Sequence, residues 1–301
     1  MGGPAFDSLE GQIWYNGEWV DWKDAKLHVL THGLHYASCV FEGERMYSGK
    51  IFELRAHTQR LFDSAQTLGF KIPYSLEEID QACIDACKKN SIVNGYIRPV
   101  AWRGSEMMGV SAQHNRINVA VAAWDWPSYF SPELREKGIK LETSKWRRPA
   151  AECAPVHAKA AGLYMICTLS KHAAEGRGCQ DALMLDYRGY VAEATGANIF
   201  IRFKGEENAL HTPTPDCFLN GITRQTVIQL AKARGVEIIE RHIKPGELKN
   251  AVEIFLTGSA AEVTPVGQID ALTFTPGKIT HQLNADYEKA VGKAPESAAA
   301  E

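Results

Sequence analysis

Apolar and polar positions alternate along QIWYNGEWV, residues 12–20, on both sides of Asn16-Gly17, a pattern that predicts two short strands joined by a tight hairpin. MYSGKIFEL, 46–54, repeats it around Gly49. RAHTQRLFDSAQTLGF, 55–70, then spaces its apolar residues as a helix does and ends near Gly69. SLEEIDQACIDACKKN, 75–90, predicts a second helix, opened by Ser75 as cap with acidic residues in its first turn. YIRPVAWRG, 96–104, and RINVAVAAWDW, 116–126, return to strand composition. Regularity breaks at WPSYFSPELREKG, 126–138, where two prolines mark a domain boundary. The expected division is therefore a small domain over 1–128, a linker over 129–138 and a larger domain over 139–301.

Past that boundary, LYMICTLSKHAAEGRG, 163–178, reads as a helix, DALMLDYRGYVAEA, 181–194, as a hairpin turning at Arg188-Gly189, and NIFIRF, 198–203, as a strand. TRQTVIQLAKARG, 223–235, is an amphipathic helix stopped by Gly235, VEIIERHI and AVEIFLTG read as strands, and KAPESAAAE as a frayed tail. Strands and helices mix without the strict alternation of a doubly wound sheet, so the fold class is α+β rather than Rossmann.

Composition narrows the function classes. At 301 residues, with 45% hydrophobic and 23% charged residues and a formal net charge of −3, the chain is an ordinary globular protein without the basic surplus that would attract nucleic acid. It shows no apolar run of bilayer length, and MGGPAFDSLEG lacks the parts of a signal peptide, so no membrane partner and a cytoplasmic location are expected. Its seven cysteines, odd in number and mostly isolated, read as reduced thiols. Cys83 and Cys87, four apart on a predicted helix, read as buried small side chains, and no metal site is expected.

Candidate chemistry begins with Lys159 in HAKAAGLYM, a long cation among small and apolar residues just ahead of a helix start near Gly162. There the helix dipole and partial burial both disfavour an ammonium ion, which would make the amine nucleophilic toward carbonyls; a plain surface lysine in a loop is the alternative. Glu193 in VAEATGAN is a carboxylate on the same strand face as Val191 in a half-buried hairpin, and it needs a cationic partner. In GITRQT, Gly221 turns the chain and Ile222 and Thr223 offer backbone N–H groups to an anion. LTGSAAEVTP adds donors at Thr257, Gly258 and Ser259, or is a plain turn. One ligand would use an amine, an acid and an anion cradle together: pyridoxal 5′-phosphate, with Tyr164 for its ring hydroxyl and Arg60 for its phosphate.

The chain resembles the branched-chain amino acid aminotransferases of pyridoxal-phosphate fold type IV. The resemblance runs from about Ile13 to Val266 and is carried by LHYASCVFEGERMY, RLFDSAQTLGF, YIRPVAWRG with MMGV, Lys159 to Tyr164, GYVAEATGANIF, NGITRQTVIQLAKARG and TGSAAEVTPV. It implies a two-domain fold like that of D-amino acid aminotransferase, with a smaller α/β domain and a larger domain carrying a barrel-like sheet. It implies Lys159 as Schiff-base lysine, Glu193 at the pyridine nitrogen, and Tyr164 at the ring hydroxyl. Arg60, Ile222, Thr223 and Ser259 belong around the phosphate, with Asn198 and Leu219 among the cofactor contacts. Substrate contacts implied are Phe41, Gly43, Trp126, Tyr129 and Ala260 with Ser259, Arg98 for a glutamate side chain, Tyr96 near the α-carboxylate, and Tyr36 and Val110 from a neighbouring subunit.

The activity implied is reversible transfer of the amino group of leucine, isoleucine or valine to 2-oxoglutarate, in a homodimer that can assemble to a hexamer. Related fold type IV enzymes, the D-amino acid and (R)-amine transaminases and aminodeoxychorismate lyase, share the lysine and the glutamate. Two departures stand out: Leu163 precedes Tyr164 where many members carry Asn, and Glu44, expected near the pocket mouth, stands where several carry a neutral residue.

Overall fold

The computed structural model describes residues 5–126 and 131–293. The tail after Lys293 and the expected pocket residue Tyr129 lie outside the described residues. Two compact units divide the chain: Met1–Pro127 with Ala158–Gly162, and Ser128–His157 with Leu163–Glu301.

The first unit holds strands β1 (Gln12–Tyr15) and β2 (Glu18–Asp21), helix α1 (His32–Tyr36), β3 (Cys39–Phe41), β4 (Glu44–Tyr47), β5 (Lys50–Ile51), helices α2 (Leu54–Thr67) and α3 (Leu76–Lys89), and the long pair β6 (Gly95–Arg103) and β7 (Ile117–Asp125). They form one antiparallel sheet in the order β2-β1-β7-β6-β4-β5, with β3 also paired to β6. Asn16 and Gly17 both take positive φ, as a two-residue hairpin loop requires, so Tyr15 faces Glu18 across the turn.

Helix α3 is specified locally. Ser75 Oγ accepts the Glu78 N–H at 3.2 Å while Glu78 Oε2 accepts the Ser75 N–H at 2.7 Å, a reciprocal cap, and Lys88 and Lys89 close the last turn against the dipole. Its inward stripe of Ile79, Ala82, Cys83, Ala86 and Cys87 packs with Leu61 and Ala65 of α2 onto Val40, Met46, Ile97, Val119 and Val121 of the sheet. Each large aliphatic side chain fully buried in this way contributes about 1.5–3 kcal/mol. The two cysteines are therefore core residues.

The second unit holds α4 (Pro132–Lys137), β8 (Ile139–Arg148), α5 (Met165–Glu175), β9 (Asp181–Asp186), β10 (Val191–Ala194), β11 (Asn198–Phe203), β12 (Ala209–Thr212), α6 (Ile222–Ala233), β13 (Glu237–Glu240), β14 (Ala251–Gly258), β15 (Glu262–Ile269), β16 (Leu272–Thr273) and α7 (Lys278–Ala290). Helix α4 occupies the latter part of the stretch read from the sequence as a linker. The sheet runs β10-β9-β8-β15-β14-β11-β12-β13, with β16 on β15. Its centre, β9-β8-β15, and its end, β12-β13, are parallel pairs, and the rest antiparallel. Val191 of β10 bridges Ile243, just after β13, with an N–H to carbonyl distance of 2.8 Å, so the two ends of the sheet are drawn together into a curl. Two crossover helices, α5 between β8 and β9 and α6 between β12 and β13, join parallel neighbours.

The structure corrects the reading of Glu44. It pairs with Ile97 across β4 and β6 and is wholly buried beside Cys83, whose Sγ lies 4.0 Å from Oε1, on the face that packs against the helices. Burial first, then the charges of Glu42 and Asp80, push this carboxyl well above the usual carboxylate range, against the opposing pull of Arg60. It is a core acid whose neutral form burial favours, and it does not stand at a pocket mouth. A carboxyl whose folded-state pKa is raised contributes stability fully only below its unfolded value, about 4.3, and loses it as pH rises toward the folded value. Glu44→Gln, which keeps the shape and removes the titration, is expected to leave the unfolding midpoint at pH 4 almost unchanged and to raise it by about 2–4 °C or more at pH 8. Thermal unfolding followed by circular dichroism at the two pH values decides; an equal effect at both rejects the assignment.

Candidate active site

In the first unit, Lys159 is held by its backbone from two directions. Ala160 bridges Val40 of β3, the Phe41 N–H donates to the Lys159 carbonyl at 3.1 Å, and the Lys159 N–H donates to Oγ of buried Ser64 on α2 at 3.0 Å. The side chain then reaches Phe41, at the end of β3. Its Nζ lies 5.1 Å from the centre of the Phe41 ring, and Cζ of Arg98 lies 4.7 Å from the same ring.

Arg98 Nη2 donates to the Tyr96 hydroxyl at 3.3 Å, and the Tyr96 ring packs on Trp126 and Trp124 with centroids 4.6 and 5.3 Å away. Phe41, Tyr96, Arg98 and Trp126 are thus brought together beside the lysine. Gly43 belongs with them for a steric reason: a methyl group there would overlap the Tyr96 hydroxyl. Tyr36 and Val110 stand apart, 45% and 85% exposed, on two segments tied by a 2.9 Å bond between His32 Nε2 and the Gly109 carbonyl.

Arg60 is gripped by a carboxylate. Its Nε and Nη2 donate to the two oxygens of Glu42 at 2.6 and 2.8 Å, and His57 Nδ1 lies 2.7 Å from Glu42 Oε2. Burial works against the ionised form of Glu42, but Arg60 and His57 overcome it and hold the carboxyl far below the usual range. His57, Arg60 and Ser64 recur at three- and four-residue spacings, so one face of α2 serves both Glu42 and the lysine segment.

In the second unit, Glu193 on β10 is 8% exposed and has Arg148, at the end of β8, 3.3 Å from Oε1. The Asn198 amide donates to Glu193 Oε2 at 3.2 Å and to the Leu219 carbonyl at 3.0 Å, while its oxygen accepts the Gly221 N–H at 3.1 Å. One asparagine therefore ties the acid to the start of α6, and a methyl group on Gly221 would overlap it. The hairpin expected to be half-buried is buried throughout β10, with a bulge between Val191 and Glu193.

Helix α6 begins without a side-chain cap, leaving the first-turn amides of Ile222 and Thr223 available for an anion. Thr257, paired with Asn198 across β14 and β11, has a buried hydroxyl with no hydrogen-bond partner among the described residues. An orphaned donor and an uncapped twelve-residue helix suit a phosphate, so the residues present fit the expected cofactor. Ser259 and Ala260 form the turn after β14, half-buried, followed by Glu262 with a left-handed φ of 54°. Tyr164 is half-buried at the N-cap of α5.

Sequence reasoning missed Arg148, Ser64, Glu42 and His57; only the unassigned need of Glu193 for a cation pointed toward the first. Asp186, Asp216 and Cys217 approach as metal ligands do, but Arg188 already donates to all three, at 2.7, 2.8 and 3.6 Å. This group is an ion-pair cluster.

Residues 39–269 match the model of the amino-transferase class IV family. The chain belongs to the class IV aminotransferases. Among class IV relatives, the branched-chain-amino-acid aminotransferase of Pseudomonas aeruginosa is 42% identical over 285 residues, 92% of each chain. That of Escherichia coli K12 is 39% identical over 272 residues, covering 88% of this chain and 87% of its own. In solved structures, the Escherichia coli branched-chain amino acid aminotransferase superposes with a TM-score of 0.90 at 36% identity, over 97% of this chain and 98% of that one. The branched-chain amino acid aminotransferase of Thermobaculum terrenum, solved in its pyridoxal-phosphate form, reaches 0.85 at 30% identity over 95% of both chains. These neighbours carry the fold type IV architecture that the curled sheet of the second unit displays.

Gly43 offers a direct test of the aromatic cluster. Gly43→Ala is expected to displace the Tyr96 hydroxyl and raise KM for amino-acid substrates by about tenfold, a loss of roughly 1.4 kcal/mol of binding, with only a small change in unfolding midpoint. Steady-state kinetics beside thermal unfolding checks it; an unaltered KM would separate Tyr96 from substrate binding.

Proposed function

We propose that this class IV aminotransferase moves the amino group of L-leucine, L-isoleucine or L-valine to 2-oxoglutarate with pyridoxal 5′-phosphate, acting as a cytoplasmic homodimer. The observation that carries the reading is the continuous link from buried Glu193 through Asn198 to the uncapped start of α6, which joins an acid to an anion cradle within one compact unit. When bound, pyridoxal 5′-phosphate supplies a carbonyl carbon for the amine and a ring that accepts the electron pair left when the substrate α-proton departs.

The protein does the rest. Ile222, Thr223, Ser259 and Arg60 hold the phosphate, Leu219 and Asn198 border the ring, Tyr164 meets its hydroxyl, and Glu193 keeps a proton at its nitrogen. Lys159 would accept the α-proton as base and return it as acid two atoms along, on the carbon at the far side of the amino nitrogen. Leucine leaves as its 2-oxo acid in one half-reaction, and 2-oxoglutarate takes the amino group in the other.

Phe41, Trp126 and Tyr129 offer apolar walls to a branched side chain, with Gly43 and Ala260 leaving it room. Arg98 offers a cation to the distal carboxylate of glutamate, and Tyr96 a hydroxyl to the α-carboxylate. The two substrate shapes use different atoms of one surface, because an aliphatic chain gains from the rings and makes no demand on the guanidinium. Tyr36 and Val110 of the partner subunit complete this site. Supporting a dimer, Leu34, Tyr36, Met107, Met108 and Val110 are 64%, 45%, 43%, 41% and 85% exposed, an apolar display that a second copy would cover.

A purified yellow protein that loses its long-wavelength absorbance on adding L-leucine, and much less with D-alanine or (R)-1-phenylethylamine, is the expected result. No spectral response to L-leucine would sink the assignment. Lys159→Ala abolishes turnover, and Glu193→Ala lowers it by about a hundredfold or more while cofactor still binds; both are read by stopped-flow absorbance. Val110→Asp is expected to move the protein to monomer in sedimentation velocity and to reduce turnover with it.

A further inference from the structure

Arg148 holds a position that no role above accounts for. It ends β8, is 4% exposed, and reaches three groups. Nε lies 3.3 Å from Oε1 of Glu193, and Nη1 donates to the Leu163 carbonyl at 3.3 Å and to Cys167 Sγ at 3.4 Å. The same guanidinium thus touches the acid on β10, assigned to the ring nitrogen, and the residue immediately before Tyr164, which is assigned to the ring hydroxyl two positions away.

Burial disfavours its charge, yet Glu193 above all, then Cys167 and Tyr164, more than restore it, and the guanidinium is held above its ordinary range. It is a permanent cation. The other titratable groups around it are Tyr164 and Cys167, whose thiol burial pushes up to about 11 although Arg148 opposes that, with the charges of Glu193 and Asp181 adding to the rise. Cys167 is therefore neutral at working pH and does not cancel the cation.

A proton between a carboxylate and a pyridine nitrogen rests on whichever has the greater affinity for it. A cation in ion-pair contact with one carboxylate oxygen, in a site with little water to screen it, lowers the affinity of the carboxylate. Asn198 donating to the other oxygen acts in the same sense. We propose that Arg148 is the positioning residue that keeps Glu193 ionised, so that the shared proton stays on the ring nitrogen, and that it also fixes the turn bearing Tyr164.

This rests on the cofactor reading above, and the measurements separate the two. Enzyme loaded with pyridoxal 5′-phosphate labelled with ¹⁵N in the ring is expected to give a pyridinium resonance. Arg148→Met shifts it toward neutral pyridine and lowers turnover by about tenfold or more, and Arg148→Lys, which restores the charge, recovers the pyridinium signal. A pyridinium resonance unchanged in Arg148→Met, with only a lower unfolding midpoint, overturns the proposal and leaves Arg148 a scaffold.

If Arg148→Met does not fold, Arg148→Gln keeps a donor without the charge and is read the same way. The carboxyl ¹³C signal of Glu193 in wild-type protein needs no variant: an ionised signal is expected, and a protonated one overturns the proposal. Wild-type protein that takes up no pyridoxal 5′-phosphate would sink the functional reading instead, while the carboxyl signal still decides for or against Arg148.

Discussion

A carboxylate taken out of water must be compensated where it lies, and the second unit is organised around that demand. An uncompensated buried ion costs several kcal/mol, a large share of the net stability of a domain. Glu193 meets the requirement with Arg148 on one oxygen and Asn198 on the other. Because Asn198 also holds Leu219 and Gly221, satisfying the acid fixes where α6 begins. Because Arg148 also holds Leu163 and Cys167, it fixes where α5 begins. Both crossover helices are registered to one buried charge, and the curl of the sheet, closed by Val191 and Ile243, keeps that charge from water.

The first unit applies the same economy to a cation. Lys159 lies far along the chain from the elements it packs with, yet its backbone is stitched to β3 and to Ser64 of α2. A flexible side chain is useful for proton transfer only if its root is fixed, and two main-chain bonds fix it. The neighbouring Glu42, Arg60 and His57 form a buried ionic set on the same helix face, so α2 contributes polar order as well as apolar packing. On the other side of the sheet, rings and the Arg98 guanidinium share one surface. Such a surface suits an apolar side chain and a distal carboxylate in turn.

Local signals were legible where local physics decides. The Asn16-Gly17 hairpin, the capped α3 and the amphipathic α6 follow from turn chemistry, capping and periodicity, and the structure shows all three. Strands β8 and β15, at the parallel centre of the larger sheet, escaped notice. IKLETSKWRR is rich in charge, with only Ile139, Leu141 and Arg148 buried, and EVTPVGQI carries a proline and a glycine, so neither looks like a central strand until its neighbours are in place. Glu44 was misread for a related reason, since alternation along β4 sends it to the helix side, and a charged letter in a motif suggests a surface.

The sequence by itself determined the small set of groups from which chemistry can be built: an amine among small residues, an acid in a hairpin, a glycine before a helix, and a family pattern linking them. These are properties of neighbouring residues and of their order. Tertiary structure alone decided the partners, bringing Arg148 to Glu193, Ser64 to Lys159 and Glu42 to Arg60 across separations of 45, 95 and 18 residues. Compensation of a buried charge is a contact in space, and no spacing along the chain encodes which distant residue will make it.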